Sequence, residues 1–381
     1  MAELFKIKIT DYKTFGDLPN PFLKADGTGI TKKEEWAEQK KELYKSAVEF
    51  QYGKQPPQPE FVEVEATYLP GRGKANSYIV HTGTRENPLQ FRIKVFLPLA
   101  DKKCPVVIDG DGCFEYAHNE EFLNVFLNND IAFVLFDRTE IAHDVHNEGR
   151  CQGAFYKTYS DYNYGAFAAW AWAYSRVLDA LEQLDIVDTT CVTFTGHSRG
   201  GKTAILAGVL DERATIVNPN ATCAGGCSCN RLAIKAIGED GKELRSELGA
   251  DLVKTFPFWM GEEYNEAADD PKNLPFDSHY LKALVAPRVL LVSEAGSDIW
   301  ANPVGSWQTT MAAKEVYKFL GCEENIHWCF RNGVHYHEIE DVKKLVSVIR
   351  HTAFGEELCD GFSKTPFDEP ELMFKWKAPN R

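Results

Sequence analysis

The chain lacks any apolar run of membrane-spanning length. Its densest apolar stretch, Gly165-Ala166-Phe167-Ala168-Ala169-Trp170-Ala171-Trp172-Ala173-Tyr174, is about half what a bilayer needs and reads as a buried core helix. The opening residues, Met1-Ala2-Glu3-Leu4-Phe5-Lys6-Ile7-Lys8, put charges where a signal peptide needs an unbroken apolar segment. A basic excess is also missing. Lys and Arg number 42 against 56 Asp and Glu, for a formal net charge of −14, so there is no basic face for phosphates and nucleic acid is not an expected partner. No fourth ligand stands at zinc-type spacing from Cys223, Cys227 and Cys229, and neither a metal nor a cofactor is expected. The ten cysteines, without an export signal, read as reduced thiols in a soluble, cytoplasmic protein. Internal repeats and low-complexity tracts are absent.

What is present is ample core material: 381 residues, 44% of them hydrophobic and 12% aromatic. Thr31-Lys32-Lys33-Glu34 has the pattern of a capping box opening a helix that runs to about Phe50, with Trp36, Leu43, Ala47 and Val48 on one face. Gln55-Pro56-Pro57-Gln58-Pro59 ends this arm. Residues 1–60 are therefore assigned to an N-terminal arm, 61–355 to a catalytic domain and 356–381 to a C-terminal extension. After a β-rich stretch (Phe61 to Tyr68, Ser77 to His81, Phe91 to Leu97), short apolar strands at Val106–Ile108, Ile131–Phe136, Cys191–Thr195, Arg288–Val292 and Ile326–Phe330 alternate with helices. The helices are expected from about Tyr164 to Leu184, Gly201 to Leu210, Gly305 to Leu320 and Glu338 to Phe354. That alternation predicts an α/β fold, a mostly parallel central sheet with helices on both faces.

Gly196-His197-Ser198-Arg199-Gly200-Gly201-Lys202-Thr203 fits two motifs at once. One is the G-x-S-x-G nucleophile elbow, a serine at a strand-to-helix turn. The other is G-x-x-x-x-G-K-[ST], a phosphate-cradling loop. The rest of the chain favours the elbow. Serine, acid and histidine follow in the order such hydrolases require, each on a loop after a strand: Ser198, then Glu294 or Asp298, then His335. The strand-then-aspartate that a nucleotide site needs downstream lies upstream instead, at Asp137.

These residues also carry a resemblance. Gly196-x-Ser198-Arg199-x-Gly201-Lys202 resembles the serine motif of the glucuronoyl esterases, carbohydrate esterase family 15. Leu18-Pro19-Asn20-Pro21-Phe22 with Gly27-Thr28 and Glu35-Trp36, then Tyr52-Gly53 with Pro56-Pro57, resemble that family's entry segment and arm. The run from Leu274 to Arg288 and Asp298-x-Trp300-x-x-Pro303 are similar to its late strand and the loop beyond, so the likeness spans about residues 18 to 355. It implies the α/β-hydrolase fold and hydrolysis of an ester on a sugar, most readily a glucuronoyl ester. Acetyl or other acyl esters of small glycans form the alternative, and an inactive sugar-binding relative or a nucleotide-binding protein the distant ones. One departure stands out. Many members carry the triad acid as a glutamate 23 residues after the serine, where this chain has Ala221.

The expected roles follow. Ser198 is the nucleophile, His335 the general base in preference to His337, and Asp298 the orienting acid with Glu294 as alternative. The Arg199 amide is one oxyanion donor, and the second is expected from the loop after Val106–Ile108, near Gly112 or Cys113. By resemblance, the Arg199 side chain faces the oxyanion, Lys202 donates to sugar hydroxyls and Trp300 walls the sugar ring. The family's hydroxyl-gripping Gln and Glu are not placed by the sequence. His279 reads as structural, and His143-Asp144-Val145-His146 as a solvated loop near the site. The expected partner is a small-molecule or oligosaccharide ester, with no membrane.

Overall fold

The computed structural model describes residues 8–68, 71, 75–146, 150–362, 365, 367 and 371–379. Twelve strands form among them: β1 (Lys8–Thr14), β2 (Phe61–Ala66), β3 (Ala75–Gly83), β4 (Pro88–Phe96), β5 (Pro105–Asp109), β6 (Ala132–Phe136), β7 (Asp188–His197), β8 (Ile216–Asn220), β9 (Leu232–Ile237), β10 (Glu243–Arg245), β11 (Val289–Ala295) and β12 (Ile326–Arg331). Nine of them make one sheet in the order β12-β11-β8-β7-β5-β6-β4-β3-β2. β2, β3, β4 and β6 pair antiparallel, whereas every neighbour from β6 across to β12 is parallel.

The physical reason is visible in burial. β5, β6, β8 and β11 are buried at every residue, as strands covered on both faces must be, while β3 and β4 alternate as half-covered strands do. The helix Ala166–Leu184, apolar through Trp170, Ala171, Ala173, Tyr174, Val177 and Leu178, fills one side of the core. The helix Ile339–Phe354 packs Val342, Leu345, Val346 and Ile349 beneath the other face, against Phe133 and Leu291. This is an α/β-hydrolase sheet, and its parallel half presents the carboxyl ends of β5, β7, β8, β11 and β12 on one edge.

Several local expectations change. The N-terminal capping box is shifted by one residue, because the Glu35 carboxylate reaches back to the amides of both Thr31 and Lys32 at 2.9 Å. The following helix, Trp36–Tyr44, passes into a π turn over Lys45–Glu49 instead of running on regularly. Its predicted inner face of Trp36, Leu43, Ala47 and Val48 is buried. β11 extends to Ala295, pairing Glu294 with Phe330, so Glu294 lies within a strand and not on the loop after it. A second sheet, β1-β9-β10, has no counterpart in the sequence reading. In the C-terminal segment, Met373 and Phe374 are buried beside Leu18, and the Met373 carbonyl accepts the Leu18 amide at 2.8 Å.

Candidate active site

Ser198 stands between β7 and the helix Arg199–Leu210 with φ 57° and ψ −118°, a conformation that side-chain-bearing residues rarely adopt. The surroundings over-determine it. The Ser198 amide donates to the Asn220 carbonyl at 2.9 Å and the His197 amide to Asp111 Oδ2 at 2.8 Å. The crossing itself requires glycine: a Cβ on Gly196 would lie 2.5 Å from the Gly200 backbone, and one on Gly200 only 2.0 Å from Asp111 Oδ1. No separate phosphate loop exists here, because Gly196 and His197 belong to the strand and Arg199 onward to the helix.

His335, on the loop after β12, brings Nε2 to 2.8 Å from Ser198 Oγ, and its Nδ1 lies 2.6 Å from Asp298 Oδ2 on the loop after β11. Three residues from three loops thus form one hydrogen-bonded line of hydroxyl, imidazole and carboxylate, the arrangement that moves a proton off a serine hydroxyl. Asp298 is sealed at 3% exposure and its Oδ1 accepts the Ala301 amide at 3.2 Å. Glu294 is outside this line. It is buried within β11, and burial pushes its carboxyl up to about 8 although Ser306 pulls it back. His337 is likewise elsewhere, stacked on His197 at 5.5 Å, and burial holds it down at about 3. Ala221 follows directly after β8 with φ 45°, and its methyl group offers no acid there.

The remaining predicted residues surround the serine. The Arg199 guanidinium bonds Asp144 Oδ2 at 2.9 Å and lies 4.6 Å from the Trp259 ring centroid. In the loop expected to supply the second oxyanion donor, the Gly112 amide is committed to the Phe136 carbonyl at 3.0 Å. Lys202, one turn beyond Ser198, is nearly enclosed, yet its ammonium makes no hydrogen bond among the described residues and has Glu247 Oε2 at 3.9 Å. Trp300 is 43% exposed, its face covered by the Arg245 guanidinium at 5.6 Å.

Three residues were missed by sequence reasoning. Glu247 is buried, accepts the Ala224 amide at 3.1 Å and donates its own amide to the Trp300 carbonyl at 3.0 Å. Burial raises its carboxyl and Lys202 pulls it back down. Asp144 is no solvated loop residue: its side chain is 7% exposed because it receives both Arg199 and the Trp259 indole N–H, the latter at 2.8 Å. Trp259 itself stacks on Phe256 at 3.6 Å and stands 5.9 Å from the Lys202 ammonium. None of the three sits in a local motif. His279 Nε2 donates to the Pro19 carbonyl, 2.8 Å away, in a structural position.

Comparison with known proteins gives the family. The family model described as glucuronyl esterase, fungi, matches residues 80–321. The 4-O-methyl-glucuronoyl methylesterase 1 of Wolfiporia cocos is 29% identical over 326 residues, covering 84% of this chain and 76% of that protein. Among solved structures, a carbohydrate esterase family 15 glucuronoyl esterase from Caldicellulosiruptor kristjansonii superposes with a TM-score of 0.82 at 28% identity, covering 98% of this chain and 99% of that one. A serine-to-alanine mutant of the glucuronoyl esterase from Sporotrichum thermophile, in complex with methyl 4-O-methyl-β-D-glucopyranuronate, matches with a TM-score of 0.75 at 25% identity over 92% of this chain and 90% of that one. With more than half its length matched by the family model, the chain belongs to the glucuronyl esterases, α/β-hydrolases that cleave carboxylic esters.

Proposed function

We propose that this chain hydrolyses glucuronoyl esters of alcohols, with Ser198 as nucleophile, His335 as general base and Asp298 as its orienting acid. The observation that carries the reading is the single line from Ser198 Oγ through His335 to Asp298, with spacings of 2.8 and 2.6 Å. His335 Nε2 takes the hydroxyl proton as Ser198 Oγ bonds to the ester carbon, and Asp298 stabilises the imidazolium that forms. The carbonyl oxygen becomes an oxyanion against the Arg199 amide and guanidinium. Collapse expels the alcohol, protonated by His335, and leaves the glucuronoyl group on Ser198. Water, deprotonated by the same imidazole, then releases glucuronate.

The substrate reading rests on Lys202 and Glu247. Their oxygen–nitrogen separation of 3.9 Å leaves the ammonium's donors, and the carboxylate lone pairs not taken by the Ala224 amide, open to bridge vicinal hydroxyls. The carboxyl of a glucuronoyl ester is blocked, so the lysine acts as a donor and not as a counter-charge. Ten free cysteines, seven of them buried, support a reducing, cytoplasmic setting, where small esters or oligosaccharides would be the substrates.

The test compares benzyl glucuronate, p-nitrophenyl acetate and acetylated sugars. Glucuronate esters should give the higher kcat/KM once leaving-group reactivity is corrected. Ser198→Ala should lose about 10⁴-fold or more in kcat while melting like the parent chain. Good turnover of acetylated sugars with none of glucuronate esters would reverse the substrate assignment.

A further inference from the structure

Two arginines flank the elbow, and one carboxylate stands between them. Arg138 is sealed from solvent and holds Asp111, equally sealed, through Nη1. Asp111 also accepts the His197 amide at the elbow and the Tyr116 hydroxyl. On its other side Arg138 Nη2 lies 4.0 Å from Asp144 Oδ2, the same oxygen that takes Arg199 Nη1 at 2.9 Å. Asp144 Oδ1 accepts the Trp259 indole N–H. The Phe114 ring is 5.2 Å from the Arg138 guanidinium carbon and 5.7 Å from that of Arg199, so it lies against both cations.

The charges along this row alternate: Asp111, Arg138, Asp144, Arg199. That order matters for an oxyanion donor. A guanidinium on a flexible stem, 28% exposed, has many rotamers open to it, and ordering it during the reaction would add to the barrier. A carboxylate devoted to Arg199 alone would hold it but would also cancel much of its field. Here Asp144 is shared with Arg138, whose charge offsets it. The terminal positive charge of the row is left to act on the serine side.

We infer that Asp144 is a positioning residue: the Asp111–Arg138–Asp144 row, anchored at the elbow's own backbone, presets the Arg199 guanidinium for the oxyanion. This rests on the proposed role of Arg199. Asp144→Asn keeps an acceptor for Trp259 and removes the charge facing Arg199. It should lower kcat on benzyl glucuronate about 10- to 100-fold with KM changed less than about threefold, since the lost interaction belongs to the transition state. In an Arg199→Ala background the same substitution should change kcat by less than about threefold, because residues acting through one another do not add. Where Asp144→Asn does not fold, Asp144→Ser gives the same cycle with a smaller neutral side chain. Losses that multiply in the double variant, or a raised KM with kcat intact, overturn the inference. An Arg199→Ala enzyme with unchanged kcat would instead count against the oxyanion role itself. An impaired Arg199→Ala beside an unimpaired Asp144→Asn would remove only the positioning row.

Discussion

Asp298 and Glu294 are four residues apart and have opposite environments. Asp298 reaches His335 Nδ1 at 2.6 Å, whereas Glu294 points into the interior from a β-strand, its carboxyl driven up to about 8 by burial and largely protonated at neutral pH. Only an ionised carboxylate in contact with the imidazole can stabilise it when it takes the serine proton. Asp298→Asn should therefore cost about 10³- to 10⁴-fold in kcat, and Glu294→Gln less than about tenfold, in steady-state assays on the same ester. The reverse ranking would transfer the acid role to Glu294. Both candidates were legible in the sequence because each follows an apolar strand. What the sequence left open was where β11 ends, since its pairing with β12 through Ala295 is a tertiary fact. Glu247 was not legible at all: Ser246-Glu247-Leu248 has no motif, and the residue matters only because the fold brings it to Lys202.

At the scale of elements, the turn from β7 into the helix Arg199–Leu210 fixes the serine, and its tolerance is set by Gly200. A methyl group there would stand 2.0 and 2.2 Å from the two Asp111 carboxylate oxygens, which already hold Arg138 and the His197 amide. The carboxylate has no free direction in which to withdraw. Gly200→Ala should destabilise the protein by about 1–3 kcal/mol and lower kcat at least about tenfold. Gly29→Ala, whose nearest neighbour would be 3.8 Å away, should stay within about 0.5 kcal/mol of the parent in a denaturant titration. A Gly200→Ala enzyme as stable and active as the Gly29→Ala control would show that the elbow is less constrained than its contacts imply. The elbow was readable because strand, glycines, serine and helix are contiguous in the chain. The β1-β9-β10 sheet was not, because Lys8–Thr14 pairs with a strand more than 200 residues later and neither carries a turn signal naming the other. The Asp144 loop misled for a related reason: a polar run between two elements looks solvated until Arg199 and Trp259 arrive from distant segments.

For the whole molecule, the buried titratable groups pull stability in opposite directions with pH. Burial lowers His197 and His337 from 6.5 to about 3, and His279 and His327 to about 4. The unfolded chain binds protons at these sites that the folded chain refuses. Their contribution is fully present above about pH 6.5 and is lost as pH falls toward 4 and 3. Glu294 behaves oppositely. Its folded value, raised from 4.5 to about 8, makes the folded chain the tighter proton binder, so stability is full below about pH 4.5 and declines as pH rises through 8. Ordinary carboxylates titrate below about pH 5, which leaves the interval from 7 to 5.5 to the histidines and, with the opposite sign, to Glu294. Across it the histidines draw the urea midpoint down as pH falls while Glu294 opposes them, so Glu294→Gln should steepen that fall. Between pH 7 and 9, where the histidines no longer titrate, Glu294→Gln should flatten the decline of the parent chain and give the higher midpoint at pH 9. A glutamine variant that tracks the parent at every pH would mean that Glu294 is ionised in the folded protein, with a cation or water meeting its charge inside the sheet edge.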